Sequence, residues 1–167
     1  MDLDSALTGK SAEPGSATHI LLEDHDEIRQ LIGQYRDAEN QSMHARHVLM
    51  EAIAMQADLH TRIEEDVFYP AVQRVCADFV DHAREAHGTI AARMDALQAL
   101  DASEPEYAEI AGRLIESLNH HMDEEERSLF PVVEREMRGE LNELGEQLIR
   151  RKETLTRSVE DLEGPAT

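Results

Sequence analysis

Two stretches of the chain carry the same arrangement of histidine, glutamate and proline. Residues 59–70 are LHTRIEEDVFYP and residues 121–131 are HMDEEERSLFP, so each contains His-x-x-x-Glu-Glu and ends on an aromatic residue and a proline. On an α-helix, residues four apart lie on the same face, so each histidine and glutamate can present a ring nitrogen and a carboxylate oxygen side by side. Such nitrogen and oxygen donors suit iron, manganese or zinc.

The arrangement recurs at a nearly constant distance along the chain. Three pairs of identical residues are separated by 61 positions: His60 and His121, Glu64 and Glu125, and Pro70 and Pro131. Upstream, HDEIRQLI (25–32) matches HGTIAARM (87–94) at an offset of 62. The sequence therefore contains a duplicated helical hairpin. Packing of the two hairpins about an approximate two-fold axis would bring equivalent residues together.

Amphipathic helices must position these residues. Apolar spacing and capping residues predict helix starts at Ser16 or Thr18, at Ser42, near Asp78, and at Ser103, which forms a capping box with Glu106. Pro70 is expected to kink or interrupt the second helix. The segment DAENQS (37–42) is expected to be a turn, and a charged fifth helix with a solvent-exposed face is expected from Gly139 to about Leu162.

Four long helices with short connections predict an all-α fold, an up-down-up-down four-helix bundle. The chain has 167 residues, enough for an apolar core, and only 4% of them are aromatic. The predicted organisation is a flexible, disordered N-terminal tail (1–17), the bundle (18–137), and an appended C-terminal helix and tail (138–167).

Composition restricts the classes of function. The net charge of −20 predicts no binding to nucleic acid or to an anionic membrane. A soluble surface explains this acidity most simply, although it also suits cation binding. No apolar stretch approaches the roughly 20 residues that span a bilayer. The single cysteine, Cys76, and the polar N-terminus without an apolar signal core predict a cytoplasmic protein.

The helical face decides which histidines can form a site. His-x-x-x-Glu occurs five times in this chain, and a surface pair explains most occurrences. At about 100° per residue, six residues instead share stripes with apolar side chains: His25, His60, Glu64, His87, His121 and Glu125. Burial of unpaired carboxylates costs several kcal/mol each, so this set requires a cation. The alternative is a buried His–Glu hydrogen-bonded network without metal.

The other five histidines fall off these stripes and are expected at the surface: His19, His44, His47, His82 and His120. A bent helix could still recruit His82 or His120 as a fifth histidine ligand. Glu65 and Glu126, next to the stripe glutamates, could substitute for them as bridges, but solvent-facing pairs are the expectation. Tyr35, Tyr69 and Met94 could line a path to the metals, but such residues at helical spacing are usually ordinary core, which is the expectation here.

Two imidazoles for each ion, with Glu64 and Glu125 bridging, predict a dinuclear site. Zinc usually binds singly in four-coordinate sites. The paired arrangement with spare coordination positions therefore favours two iron ions with an oxo or hydroxo bridge, and manganese or zinc are the less favoured alternatives.

The order H…H-x-x-x-E…H…H-x-x-x-E resembles the hemerythrin-like HHE cation-binding family over roughly residues 19–137. The resemblance implies a four-helix bundle around a non-haem di-iron centre. Oxygen-carrying hemerythrins have a fifth histidine from an H-x-x-x-H pair, whereas Ala83 and Ala91 flank His87 at these spacings. The chain is more similar to bacterial HHE proteins, including proteins that repair iron centres. Those repair proteins usually carry an additional cysteine-containing N-terminal domain.

We therefore expect a di-iron centre that binds or reacts with O₂, NO or peroxide, in sensing, detoxification or stress protection. A weak peroxide-decomposing activity is chemically reasonable because two metal ions can hold both oxygens of the substrate. The alternative is an iron storage or donation protein, including iron–sulfur repair, without turnover. A third interpretation is a structural bundle whose fifth helix mediates association. The sequence predicts no particular oligomeric state.

Overall fold

The computed structural model describes residues 12–38 and 42–163. Helices α1 to α6 cover Ala17–Asp37, Met43–Ile63, Tyr69–Gln98, Pro105–Glu124, Phe130–Glu136 and Leu141–Glu163. Two π-helical segments, π1 (Glu64–Phe68) and π2 (Glu125–Leu129), join α2 to α3 and α4 to α5. The described residues contain no β-strand, which confirms the all-α class and fits a helical bundle. Most of the predicted tail, residues 1–11, and residues 39–41 of the predicted turn lie outside the described residues.

Serine side chains cap the first two helices, as their sequence predicts. Ser16 Oγ accepts a hydrogen bond from the backbone N–H of His19 (3.3 Å) at the start of α1. Ser42 Oγ accepts one from Ala45 (3.2 Å) at the start of α2. Each cap satisfies one of the backbone donors that a helix leaves unpaired in its first turn.

The predicted capping box at the start of α4 is wrong. Glu104 is the N-cap residue and Pro105 occupies the first turn, where its missing N–H needs no partner. Ser103 donates its hydroxyl hydrogen to Asp101 Oδ1 (2.6 Å) instead. The proline therefore sets the first residue of the helix.

The two duplicated motifs fold as π-helical segments at equivalent positions. The N–H of Tyr69 donates to the C=O of Glu64, and the N–H of Phe130 donates to the C=O of Glu125, five residues back in each case. Such a turn holds one residue more than an α-helical turn and is frequent at functional sites. Each segment begins at the first glutamate of its motif, Glu64 in π1 and Glu125 in π2.

Pro70 lies just after the point where the second α-helix is interrupted: α2 ends at Ile63, and the segment π1 stands between it and the proline. Helical backbone continues from π1 through Pro70 into α3, because the proline lies in the first turn after the π segment. The bend lies six residues later, at Cys76, where φ is −144° and ψ is 44°. The residues after this bend form the third long helical stretch that the sequence places near Asp78.

Two apolar clusters fill the interior, one on each side of a buried polar layer. The α6-side cluster includes Leu21, Ile63, Ala83 and Leu129. The far cluster includes Ile28, Ala57, Ile90 and Leu118. Helices α1, α2 and α3, and α4 continued by π2, each pass from one cluster to the other, and each carries a histidine at the crossing: His25, His60, His87 and His121.

Helix α6 contributes to the interior, which its charge pattern did not indicate. Leu141, Leu144 and Leu148 belong to the α6-side cluster. Gly145 lies so close to the backbone at the start of α1 that an added Cβ would overlap the carbonyl oxygen of Gly15. Gly15 itself has a φ of +82°, a conformation that favours glycine. Within the described part of the chain, no helix is both long and apolar enough to cross a membrane.

Candidate metal centre

Six polar side chains meet between the two apolar clusters. Helices α1, α2, α3 and α4 each supply one histidine, and each π segment supplies its first glutamate. None of the six is more than 4% exposed: His25, His60, Glu64, His87, His121 and Glu125. These are the six residues selected from the sequence, and the structure brings all of them together.

The imidazoles form two pairs, one from each hairpin. The Nε2 atoms of His25 and His60 lie 3.2 Å apart, and those of His87 and His121 lie 3.0 Å apart. Two nitrogens that bind one ion at about 2.1 Å are separated by roughly 3.0–3.4 Å. Each pair therefore already has the spacing of two ligands on a single cation.

Glu64 and Glu125 lie between the two imidazole pairs. Glu64 Oε2 is 3.2 Å from Nε2 of His60 and 3.2 Å from Nε2 of His87. Glu125 Oε2 is 3.3 Å from Nε2 of His25 and 3.6 Å from Nε2 of His121. Each carboxylate therefore contacts imidazoles of both pairs, which a bridging ligand requires.

The possible ligand atoms divide into two groups that share one carboxylate. In the first group the ligand atoms lie within 4.8 Å of one another, and so do those of the second. The first group is His25, His60, Glu64 and Glu125, and the second is Glu64, His87 and His121. The arrangement offers two adjacent cation positions.

Unpaired oxygens show that the cluster fits a cation. Glu64 Oε1 and Glu125 Oε2 are buried and have no hydrogen-bond partner among the described residues. An unsatisfied buried polar atom costs about 1–3 kcal/mol, and more when it carries charge. Coordination would satisfy both oxygens. The donors are nitrogen and oxygen without sulfur, a set that suits iron, manganese or zinc.

The outer ring nitrogens of two histidines bind carboxylates. Nδ1 of His25 lies 2.9 Å from Glu126 Oε1, and Nδ1 of His87 lies 2.9 Å from Glu65 Oε1. Donation from Nδ1–H leaves the Nε2 lone pair directed inward, which is the form that ligates metal. The expectation that Glu65 and Glu126 form solvent-facing pairs is wrong, since they are 32% and 22% exposed and contact the histidines.

Arginines hold these two outer carboxylates in place. Arg29 donates to Glu126 Oε1 (2.6 Å), and Arg84 donates to Glu65 Oε2 (3.1 Å). Burial raises the pKa of Glu126, but hydrogen bonds from His25 and Arg29 outweigh it and lower that pKa to about 2. Glu126 is therefore ionised throughout the physiological range and remains a hydrogen-bond acceptor for His25.

Tyr69 is a further polar residue of the cluster that the sequence assigns to the core. Its hydroxyl donates to Glu125 Oε1 (2.8 Å), and its ring stacks on His87 with centroids 5.3 Å apart. The extra residue in π1 brings Tyr69 to the interior, nine positions after His60. The equivalent residue of the duplication, Phe130, stacks on His25 (5.6 Å) but has no hydroxyl.

Without metal, the cluster retains protons. Burial lowers the pKa of His25, but the nearby carboxylates of Glu125 and Glu126 outweigh it and raise that pKa to about 9. The pKa of His87 is raised in the same way by Glu64 and Glu65 against the effect of burial. Burial raises the pKa of Glu64, but neighbouring imidazoles hold it well below its usual range. A cation must therefore displace protons to enter.

The remaining histidines lie outside this cluster. His19 contacts Glu23 (3.4 Å) and His47 contacts Glu51 (3.3 Å), each four residues along its helix, and His44 is exposed. His82 and His120 are 58% and 71% exposed, and their Nε2 atoms each lie 3.5 Å from Glu124 Oε2. Neither joins the cluster as a fifth histidine.

The geometry agrees with comparisons to known proteins. The model of the hemerythrin HHE cation-binding domain matches residues 16–133. The chain belongs to the hemerythrin HHE cation-binding family. The resemblance inferred from the duplicated motif is therefore confirmed, and the buried His–Glu cluster is the part of this HHE domain that can hold metal.

Relatives of this HHE protein occur in mycobacteria. Uncharacterized proteins of Mycobacterium tuberculosis and Mycobacterium bovis are each 30% identical to it over 112 residues, which is 66% of this chain and 69% of theirs. The crystal structure of a hemerythrin HHE cation binding domain-containing protein from Mycobacterium kansasii is similar, with a TM-score of 0.76 and 28% identity. That match covers 91% of this chain and 94% of the other.

Proposed function

We propose that this HHE protein is a non-haem di-iron protein whose open centre binds or reacts with O₂, NO or peroxide, in sensing, detoxification or stress protection. The observation that carries the proposal is the pair of buried carboxylates, each in contact with both imidazole pairs and each with an unpaired oxygen. A structural bundle without metal would leave these two buried oxygens without a hydrogen-bond partner, at a cost of about 1–3 kcal/mol each.

In this proposal His25 and His60 would hold one ion, His87 and His121 would hold the other, and Glu64 and Glu125 would be shared between them. This donor set would provide each ion with about four protein ligands. Iron commonly accepts more ligands than four and would supply a redox-active centre with positions for a small molecule. The apolar clusters on both sides of the layer enclose these positions in buried side chains, which suits a small ligand.

The surrounding residues keep the ligands in position. Glu126 and Glu65 hold the inward lone pairs of His25 and His87 in place. Tyr69 orients Glu125 through its hydroxyl. Burial and the charges of Glu64 and Glu125 raise the pKa of Tyr69 well above its usual value, so the phenol keeps the proton that it donates to Glu125.

The rival function is iron storage or donation, including iron–sulfur repair, without turnover. The net charge of −20 favours it, since it attracts cations. Carboxylates of Glu23, Glu27 and Glu153 also line a groove between α1 and α6 beside Asp24, close to the cluster. A donor must release iron easily, whereas a ligand-binding centre must retain it.

Metal analysis followed by rapid kinetics tests the proposal. We expect two irons in each chain, an oxo-bridged absorption band, and spectral changes when the reduced protein is mixed with O₂, NO or peroxide in a stopped-flow instrument. Metal-free protein of unchanged stability would refute the di-iron function. Transfer of the iron to a mild chelator within minutes, without reaction towards the three small molecules, would establish the donor function instead.

Acidification supplies a second test. Histidine ligands must be neutral to bind metal, so protons compete with the cation. We expect metal release as the pH falls through the range in which imidazole protonates. A metal content that stays constant down to pH 4, measured after desalting, would contradict the assignment of four histidine ligands.

The finer parts of the architecture belong to the same proposal. We propose an up-down-up-down order, supported by the alternation in which successive helical stretches enter the two apolar clusters.

We propose a cytoplasmic, bacterial protein whose partner is a small ligand rather than nucleic acid or a membrane, supported by its charge and by its single cysteine. The proposed bundle is 18–137, with α6 as the appended helix.

A further inference from the structure

The duplication is not exact around the cluster. Asp24 directly precedes His25 in the first hairpin, whereas Ala86 directly precedes His87 at the equivalent position of the second. Asp24 is an acidic side chain that is only 2% exposed. A buried carboxylate therefore stands beside one imidazole pair and is missing beside the other.

Asp24 contacts both α6 and the cluster. Its Oδ1 forms an ion pair with Lys152 Nζ of α6. Its Oδ2 lies 3.6 Å from His60 Nδ1, and each of these two atoms lacks a hydrogen-bond partner among the described residues. Two unsatisfied buried atoms, an acceptor and a ring nitrogen, face each other. A small approach of the two atoms would satisfy both.

The carboxylates around the outer ring nitrogens make the two pairs unequal. The Nδ1 atom of His25 contacts the carboxylate of Glu126, and the Nδ1 atom of His87 contacts that of Glu65. His60 has Asp24 at its Nδ1. The ion pairs of His121 among the described residues involve only its Nε2 and the bridging glutamates. The first imidazole pair thus has an outer carboxylate on both rings, and the second has one on a single ring.

We propose that Asp24, anchored by Lys152, is a positioning residue that accepts a hydrogen bond from His60 Nδ1–H and makes the His25–His60 pair the tighter of two cation positions. An acceptor at the outer nitrogen fixes the tautomer, orients the ring and makes the inner nitrogen more basic. Lys152 balances the buried charge and links α6 to the centre. The inference rests on the proposed two-ion function.

Stepwise metal binding tests this role. The full chain is stripped with a chelator and titrated with Co²⁺, whose visible absorption reports coordination. We expect wild type to bind two ions with unequal affinity. Asp24→Asn should weaken the tighter step by about 10–100-fold and leave the weaker step unchanged. The control Asp58→Asn removes a surface carboxylate that pairs with Arg62 on the same helix as His60, and should change neither step.

Three results separate the possible failures. Binding of fewer than two ions by wild type would refute the two-ion function. If wild type binds two ions but Asp24→Asn leaves the affinities of both steps unchanged, or weakens both equally, only the role of Asp24 is overturned. Circular dichroism and thermal unfolding of the metal-free variants establish whether each one folds.

NMR of the wild-type protein keeps the test independent of the folding of any variant. In the Zn²⁺-loaded, ¹⁵N-labelled protein, we expect a downfield Nδ1–H resonance of His60 with slow solvent exchange. This signal reports a hydrogen bond to a carboxylate, which a merely space-filling Asp24 would not produce. Protonation of His60 at Nε2, or a rapidly exchanging Nδ1–H, would overturn the proposal. In Asp24→Asn the resonance should move upfield, while that of His87 stays in place.

Discussion

Removal of metal should make the stability of this protein fall as the pH rises. His25 is fully buried, with Nδ1 2.9 Å from Glu126 Oε1 and Nε2 3.3 Å from Glu125 Oε2. Burial lowers its pKa, but these carboxylates raise it from the ordinary value of 6.5 to about 9 in the folded chain. In the metal-free protein His25 is therefore an imidazolium ion at neutral pH.

The sign and size of the effect follow from linkage. The folded pKa is higher than the unfolded one, so protonation of His25 stabilises the folded state. This contribution is fully present below pH 6.5 and is lost as the pH rises through 9. A shift of this size corresponds to about 3 kcal/mol at 1.36 kcal/mol for each pH unit. The melting temperature should then fall by roughly 6–12 °C for a chain of this length. The raised pKa of His87 acts in the same direction.

Thermal unfolding of the chelator-treated protein between pH 6.5 and pH 9.5, at constant ionic strength, measures this fall. The control His19→Ala removes an exposed pair with Glu23, and its melting temperature should fall with pH as much as that of the wild type. Glu126→Gln removes one of the two carboxylate partners of His25, so the fall in melting temperature with pH should be smaller in this variant. Metal-loaded protein should show a smaller fall, because the cation replaces the proton. A metal-free stability that is flat or rises over this interval would refute the reasoning.

Three further predictions concern single side chains. His60→Ala should lose most bound metal, whereas His47→Ala should retain it, as measured by elemental analysis of the purified variants; equal losses would refute the assignment of faces. Tyr69→Phe should lower the free energy of unfolding by about 2 kcal/mol in urea titrations, because Glu125 loses a buried donor. Gly145→Ala should destabilise the chain by about 1–3 kcal/mol, since its Cβ would overlap the backbone of Gly15.

Matched variants control the last two predictions. Tyr107→Phe removes a hydroxyl that contacts His47 Nδ1 (3.1 Å) away from the cluster, and should cost less than Tyr69→Phe. Gly112→Ala, within α4, places its Cβ in open space and should stabilise the protein by about 0.5–1 kcal/mol. A Gly145→Ala variant as stable as Gly112→Ala would contradict the close approach of α6.

Periodicity was sufficient to predict the inner residues of the cluster. His25 and His87 share their stripes with apolar neighbours, and the His-x-x-x-Glu spacing places Glu64 and Glu125 on the stripes of His60 and His121. A regular helix keeps this spacing between the histidine and the glutamate, which precedes the extra residue of the π segment. The duplication then predicts that the two halves meet.

The missed features depend on irregular backbone or on long-range packing. Counting at 3.6 residues for each turn cannot anticipate the extra residue of π1, so Tyr69 was assigned to the ordinary core. Glu65 was assigned to solvent because its partner, His87, lies on another helix. The pairing of Asp24 with Lys152 joins residues 128 positions apart, and no local pattern encodes such a contact.

The division of the interior into two apolar clusters affects how this protein unfolds. Hydrophobic contact is interrupted at mid-height on each of the four long helical stretches, where imidazoles and carboxylates meet instead. Cooperative melting of the two ends therefore depends on the ionic layer between them. A cation bound in this layer would join the two ends through shared ligands, so we expect the metal-free protein to unfold less cooperatively than the metal-loaded protein.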